Sequence, residues 1–355
     1  MKKINPKEFS KSKTNLAGNL LRNSKTAEED SYRALTILSN WRAAHSYPMH
    51  VFKKRLKRVS EKIDKNALSA QRLKRVPSII KKLNRRYKNN KATMKLTQMQ
   101  DIAGCRAVMS NIKLARELYD KSYIKGDLKH KKVNEKDYVS NPKSDGYRSI
   151  HLVYKYLSDK GKKDYNGLLI EIQIRSKLQH IWATAVETVG FFTGQAIKSN
   201  EGKKEWNDFF RLVSSAFAQM EKCPIIPGTP DDEKELYSLI KEKEKELNVV
   251  TKMKNWTKSI RLIEDLKHKK NSHFFLLELD TIQEKLIIST YSKRQEEKAI
   301  NDYARAEKNI YGKKEYDVVL VGADTTSDLK KAYPNYFMDT KEFINYLSKI
   351  LNKTC

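Results

Sequence analysis

Cysteine is nearly absent from this 355-residue chain: Cys105, Cys223 and Cys355 are too few and too scattered for a disulfide framework or a zinc ribbon. Cys355 is also not a prenylation box, which needs its cysteine four residues from the end. Carboxylates are scarce beside cations, 43 Asp and Glu against 72 Lys and Arg, leaving a formal charge of +29. That excess calls for a polyanionic partner such as nucleic acid, nucleotide or anionic lipid. No run approaches the roughly 18 apolar residues that span a bilayer, and the opening MKKINPKEFSKSK lacks the apolar core of a signal peptide. A cytoplasmic protein is the expectation. The P-loop pattern GxxxxGK[ST], zinc-spaced His/Cys clusters, internal repeats and low-complexity tracts are missing as well. Proline is rare, eight residues in all, so the three in PIIPGTP at 224–230 mark a boundary.

What is present is unevenly placed. Residues 51–100 hold 17 Lys and Arg against Glu61 and Asp64, a local charge of +15 and about half the net total. Such a density fits a phosphate-facing surface, although most of these lysines are better accounted for as a solvated helical face. Tyr32, Leu35, Leu38 and Trp41 recur at helical spacing, and a second helix is expected from Val76 to Arg86 after the Pro77 start. From Gly104 to Arg175 the period shortens: CRAVM, YRSIHLVYKYL and LLIEIQIR read as strands between Gly-containing polar stretches. The fold class implied is α+β, a mixed β-sheet flanked by helices.

Beyond the prolines, apolar residues from Leu236 to Leu266 recur at helical steps, as a connecting helix or helix pair. FFLLELD and KLIISTYS read as a hairpin, 294–311 as a helix, YDVVLVGA as a buried strand, and 340–351 as a last helix capped by Asp339. Three parts are therefore expected: 1–223, a linker with connecting helices over 224–270, and 271–355.

Within the strands, alternation puts Glu171, Gln173 and Arg175 of EIQIR on one face while Ile170, Ile172 and Ile174 enter the core. Asp101, opening DIAGCR, would lie near Glu171 if the two strands are neighbours, and two such carboxylates suit Mg²⁺ completed by substrate phosphates. Each acid taken alone is better read as a surface or ion-paired residue. In NPKSDGYRSIHL the same alternation groups Tyr147, Ser149 and His151, so that Tyr147 could stack on a base with Arg148 and His151 near phosphates. On local sequence alone, a tyrosine in a hairpin core and a satisfied strand histidine fit this segment better.

Read in order, RLKRVPSIIKKL (72–83), DIAGCR (101–106), GYRSIH (146–151), EIQIR (171–175) and His180, Trp182, Ala183 and Glu187 resemble the synthetase domain of the RelA/SpoT alarmone family. The resemblance implies a nucleotidyltransferase-like mixed sheet and transfer of pyrophosphate from ATP to a ribose 3′-hydroxyl. By the same resemblance Arg72, Lys74, Lys82 and Arg106 would grip ATP, and Asp101 and Glu171 would hold Mg²⁺, Glu171 also taking the hydroxyl proton. Tyr147, Arg148, His151, Gln173 and Arg175 would receive the acceptor. The HD dipeptide of the family's hydrolase is missing around His45 and His50, so alarmone hydrolysis is not expected.

Residues 328–343 (DLKKAYPNYFMDTKEF) and WRAAHSYP (41–48) resemble the family's fused toxin–antitoxin branch, the phage-defence CapRel group. That likeness implies that 271–355 is a small zinc-finger-like α/β domain without zinc, in which Tyr333, Tyr336 and Lys330 cover the adenine site until a phage capsid protein displaces them. It also implies the tRNA acceptor end as substrate. The local charge of +15 suits a large RNA, so tRNA is expected ahead of GDP or GTP.

Overall fold

The computed structural model describes residues 10–23, 26–85, 92–192, 204–259, 261–264, 272–280, 282–283, 285–310, 313, 316–323, 329–330 and 340–353. Three helices open the chain: α1 (Lys11–Arg22), α2 (Glu28–Ala44) and α3 (Ser46–Ile63). In α3, Met49, Phe52 and Leu56 fall three and four residues apart and are buried against the sheet, whereas Lys54, Arg58 and Lys62 on the opposite side are exposed. The strand β1 (Leu68–Leu73) and the short helix α4 (Val76–Leu83, with Pro77 in its first turn) follow. Then come β2 (Ala103–Met109), α5 (Ile112–Tyr119), β3 (Lys131–Asp137), β4 (Ile150–Lys155) and β5 (Leu169–Ser176).

Helices α6 (Lys177–Phe192), α7 (Lys204–Met220), α8 (Glu233–Leu247) and α9 (Val249–Ser259) form a second apolar cluster with Trp182, Phe209 and Phe210 at its heart. The long helical pattern is a pair of helices because Asn248 turns left-handed (φ 52°) between α8 and α9, a conformation that ends a helix. The last elements are β6 (Arg261–Glu264), β7 (Ser272–Asp280), β8 (Lys285–Ser292), α10 (Glu296–Asn309), β9 (Tyr316–Gly322) and α11 (Lys341–Asn352).

The nine strands among the described residues join one mixed sheet in the order β3-β4-β5-β2-β1-β9-β7-β8-β6. The β2/β5 and β6/β8 pairs are parallel and the rest antiparallel. The hairpin, helix, strand and helix foreseen within 271–355 are present, and β9 pairs with β1, continuing the sheet of the first part. Helix α11 instead packs on the helical cluster, with Phe343 against Phe210 and Phe217. Its cap position is Thr340 rather than Asp339, and Phe343, Ile344, Leu347 and Ile350 form its buried face. No helix among the described residues is long and apolar enough to cross a membrane.

Candidate active site

The cleft follows from strand register. Pairing sets Arg72 on β1 opposite Gly104 on β2, and Gly104 opposite Glu171 on β5. One step along, Arg106, Gln173 and His151 line up across β2, β5 and β4. Residues paired in register and two apart on a strand share one face of a sheet, so these side chains emerge together. The alternate residues Ala103, Cys105, Ala107, Ile170, Ile172 and Ile174 are buried beneath α3 and α5. Gly104 leaves the space between Arg72 and Glu171 open. The resulting cleft is lined by Arg72, Lys74, Asp101, Arg106, Glu171 and Gln173, which gathers nearly all of the expected nucleotide-site residues.

Asp101 sits just before β2, where the amide of Lys74 bonds to the carbonyl of Ile102 at 2.8 Å and brings the two segments together. Its carboxylate accepts from Lys74 Nζ at 3.0 Å and from Lys82 Nζ at 2.8 Å. Burial opposes the charge on Asp101, but the two ammonium groups outweigh it and hold the carboxyl at about 2. Burial also lowers the Lys74 pKa, an effect that Asp101 offsets in part.

Glu171 is the centre of a closed hydrogen-bonded ring. His151 Nδ1 donates to Glu171 Oε1 at 2.8 Å, and His151 Nε2 meets the Tyr147 hydroxyl at 2.8 Å. Arg175 Nη2 donates to that hydroxyl at 2.6 Å and to Gln173 Oε1 at 3.0 Å, and Gln173 Nε2 returns to Glu171 Oε2 at 2.7 Å. Burial penalises a charged imidazole, yet Tyr147 and Glu171 push the His151 pKa up to about 9. Burial likewise opposes the Glu171 carboxylate, but its bond and attraction to His151 keep its pKa below the ordinary value. The outcome is a desolvated carboxylate that stays ionised, beside a charged histidine.

Tyr147 is flanked rather than free. Lys143 Nζ and the Arg175 guanidinium each lie 5.0 Å from its ring centre, and Tyr138 meets it edge-on at 6.0 Å. Lys143 and Tyr138 were not foreseen, and only their basic-aromatic character near Tyr147 in sequence could have flagged them. The turn before Tyr147 depends on Gly146: its φ of +93° is left-handed, and a Cβ there would lie 2.8 Å from the Trp182 ring. Trp182 is fixed in turn by a 2.8 Å bond from its indole nitrogen to the Phe210 carbonyl.

Arg148, expected at the acceptor, is 4% exposed, donates to Ser214 Oγ at 3.2 Å and to the Val139 carbonyl, and is not among the residues that line the cleft. Burial brings its pKa down to about 10. Ser149 also leaves the group expected from alternation, because its hydroxyl bonds to the Ile174 carbonyl; β4 starts only at Ile150, so the strict period does not yet hold. Lys330 is exposed, and Tyr333 and Tyr336 lie outside the described residues.

Two carboxylates lining one cationic cleft fit a Mg²⁺ ion that takes its other ligands from phosphates and water. Among the described residues no group of three or more His, Cys, Asp or Glu could enclose a metal without such help.

Part of the chain is similar to known proteins. Residues 71–190 match the family model described as "Region found in RelA / SpoT proteins". The chain is 32% identical over 125 residues to GTP pyrophosphokinase YjbM of Bacillus subtilis, covering 34% of this chain and 54% of that protein. It is 32% identical over 114 residues to GTP pyrophosphokinase YwaC of the same organism, covering 32% and 52%. The chain thus spans about half the length of these two relatives. Among solved structures, small alarmone synthetase 1 from Bacillus subtilis bound to its product pppGpp aligns with a TM-score of 0.42 and 23% identity, over 50% of this chain and 90% of that one.

Proposed function

We propose that the cleft transfers pyrophosphate from ATP to the 3′-hydroxyl of a guanine nucleotide, GDP or GTP, making an alarmone. The observation that carries this reading is Glu171, a buried carboxylate kept ionised by His151 and Gln173 within a cleft that it shares with Asp101 and the cations Arg72, Lys74 and Arg106. In the reaction the acceptor oxygen attacks the β-phosphorus of ATP, the bond from that phosphorus to the α,β-bridging oxygen breaks, and AMP leaves. Glu171 takes the hydroxyl proton. Transfer of this kind depends on alignment and charge neutralisation rather than a covalent intermediate, so no nucleophilic Ser or Cys is required.

Arg72, Lys74 and Lys82 hold the triphosphate, and Arg106 faces the adenine side. Asp101 and Glu171 would hold Mg²⁺, which when bound neutralises charge on the bridging phosphate oxygens. Tyr147 presents a ring to the acceptor base, with His151, Gln173 and Arg175 behind it. The activity named for the relatives, GTP pyrophosphokinase, supports a guanine nucleotide as first acceptor and reverses the order expected from charge alone.

The 3′-terminal adenosine of tRNA is the second reading. It is favoured by the +15 charge of residues 51–100, where Lys54, Arg58, Lys62, Lys65, Lys81 and Arg85 are exposed. With it belongs the proposal that a zinc-finger-like C-terminal unit without zinc restrains the enzyme through Tyr333 and Tyr336, and that a phage capsid protein releases it; only the sequence resemblance supports the capsid. Incubation of the native chain, and of Tyr333→Ala/Tyr336→Ala, with labelled ATP and either GDP or tRNA separates the readings. Label in RNA alone would replace the first, and a restrained enzyme predicts faster transfer by the double variant.

A further inference from the structure

The helix that carries Lys82 begins without a cap of its own. At the start of α4 the cap residue Arg75 is extended (φ −64°, ψ 145°) and makes no side-chain cap hydrogen bond, and the first amides of any helix lack partners within it. One of these amides is satisfied from far along the chain: Val76 N donates at 3.0 Å to Oε1 of Glu307 on α10. Glu307 is 7% exposed, and a buried carboxylate at a helix N-terminus also opposes the positive end of the helix dipole.

The same carboxylate is held in place from its other side. Arg42 on α2, 2% exposed, forms a two-pronged ion pair with Glu307 and donates to the Tyr303 hydroxyl at 2.6 Å. Next to it, Arg75 pairs with Asp317 on β9. Beyond Asp317, β9 runs so close to β1 that a Cβ on Gly322 would lie 2.9 Å from the Gln71 side chain. The segment gripped this way, 71–76, carries Arg72 and Lys74 and leads into α4 with Lys82. Both lysines converge on Asp101.

We infer that Glu307 is a positioning residue of the ATP site: by capping α4 it fixes where Lys74 and Lys82 stand relative to Asp101, so the C-terminal part of the chain is built into ATP binding. The inference rests on the function proposed above. Its position in sequence, more than 200 residues from the lysines it orients, explains why local patterns do not reveal it.

The test uses the full chain and compares two double variants in which the ion pair is gone. Arg42→Met with Glu307→Gln retains a neutral acceptor for the Val76 amide, whereas Arg42→Met with Glu307→Met has similar volume and no acceptor. Equilibrium binding of a non-hydrolysable ATP analogue, KM and kcat for ATP, and amide exchange in α4 are measured on both. Loss of the cap should weaken analogue binding about tenfold relative to the glutamine variant, in line with the usual cost of an absent cap. KM for ATP should rise with it, exchange in the first turn of α4 should quicken, and KM for the acceptor should stay unchanged. Equal analogue affinity in the two folded variants would overturn the inference.

If the methionine pair fails to fold, Glu307→Asp keeps the charge at Arg42 while withdrawing it from Val76. A folded aspartate variant with native affinity is then the overturning result, and weakened binding restored by glutamate supports the cap. A native chain that binds no ATP analogue would remove the proposed function and the inference together, whereas unchanged binding in the uncapped variant removes the inference alone.

Discussion

Replacing His151 by glutamine should change how both stability and catalysis respond to pH. The imidazole rises from an ordinary value near 6.5 to about 9 despite its burial, a preference for the charged form worth about 3 kcal/mol at the usual conversion. Because the folded-state pKa is the higher one, this stabilisation is complete below about pH 6.5 and is lost as pH climbs through 9. The native protein should therefore melt several degrees lower at pH 9.5 than at pH 6, and the glutamine variant should show a much smaller difference. Catalysis is affected through Glu171. With the 2.8 Å bond to a charged His151 gone, burial acts on Glu171 with less opposition and its pKa rises. The acid limb of kcat/KM should then move to higher pH. Melting curves and initial rates of label transfer from pH 5 to 10 measure both effects. An acid limb that does not move, together with an unaltered pH dependence of melting, would refute the coupling of Glu171 to His151.

Glu171→Gln and Asp101→Asn should each lower kcat for pyrophosphate transfer by about a thousandfold or more in chains that still melt cooperatively, at a shifted temperature because Glu171 is paired with His151 and Asp101 with Lys74 and Lys82. Tyr147→Phe should keep most acceptor affinity, and Tyr147→Ala should raise acceptor KM more than ATP KM, with stacking worth about 1–3 kcal/mol per base; equal acceptor KM in both variants would make the ring a packing residue only. Arg148→Met should change stability, read from denaturant midpoints, with acceptor KM unchanged, because the side chain serves Ser214 and Val139; a selective rise in acceptor KM would return it to the site.

Much of the cleft could be read from sequence because its residues obey a two-residue period. Ile170, Ile172 and Ile174 are fully buried, and Glu171, Gln173 and Arg175 are joined by hydrogen bonds on the other face. The ordered segments from Arg72 to Glu187 then supplied partners that periodicity cannot, such as Lys82 and Asp101. The same period misplaced Ser149, since alternation holds only inside a paired strand and β4 begins one residue later. Arg148, a cation expected at a phosphate, has carbonyl and hydroxyl acceptors available to it within the fold. Least legible was the union of the two ends of the chain. The pairing of β9 with β1, and Glu307 at the start of α4, join residues whose proximity depends on the whole topology.

The central claim, that this cleft moves a pyrophosphate and Glu171 enables it, is tested most directly by following both products of one reaction. The native chain, with Tyr333→Ala/Tyr336→Ala in parallel, is incubated with Mg²⁺, GDP and ATP labelled on its β- and γ-phosphates. The account predicts equal amounts of AMP and a guanine nucleotide carrying both labelled phosphates, and neither product from Glu171→Gln. Formation of ADP in place of AMP, or the same yield from the Glu171 variant, would contradict it.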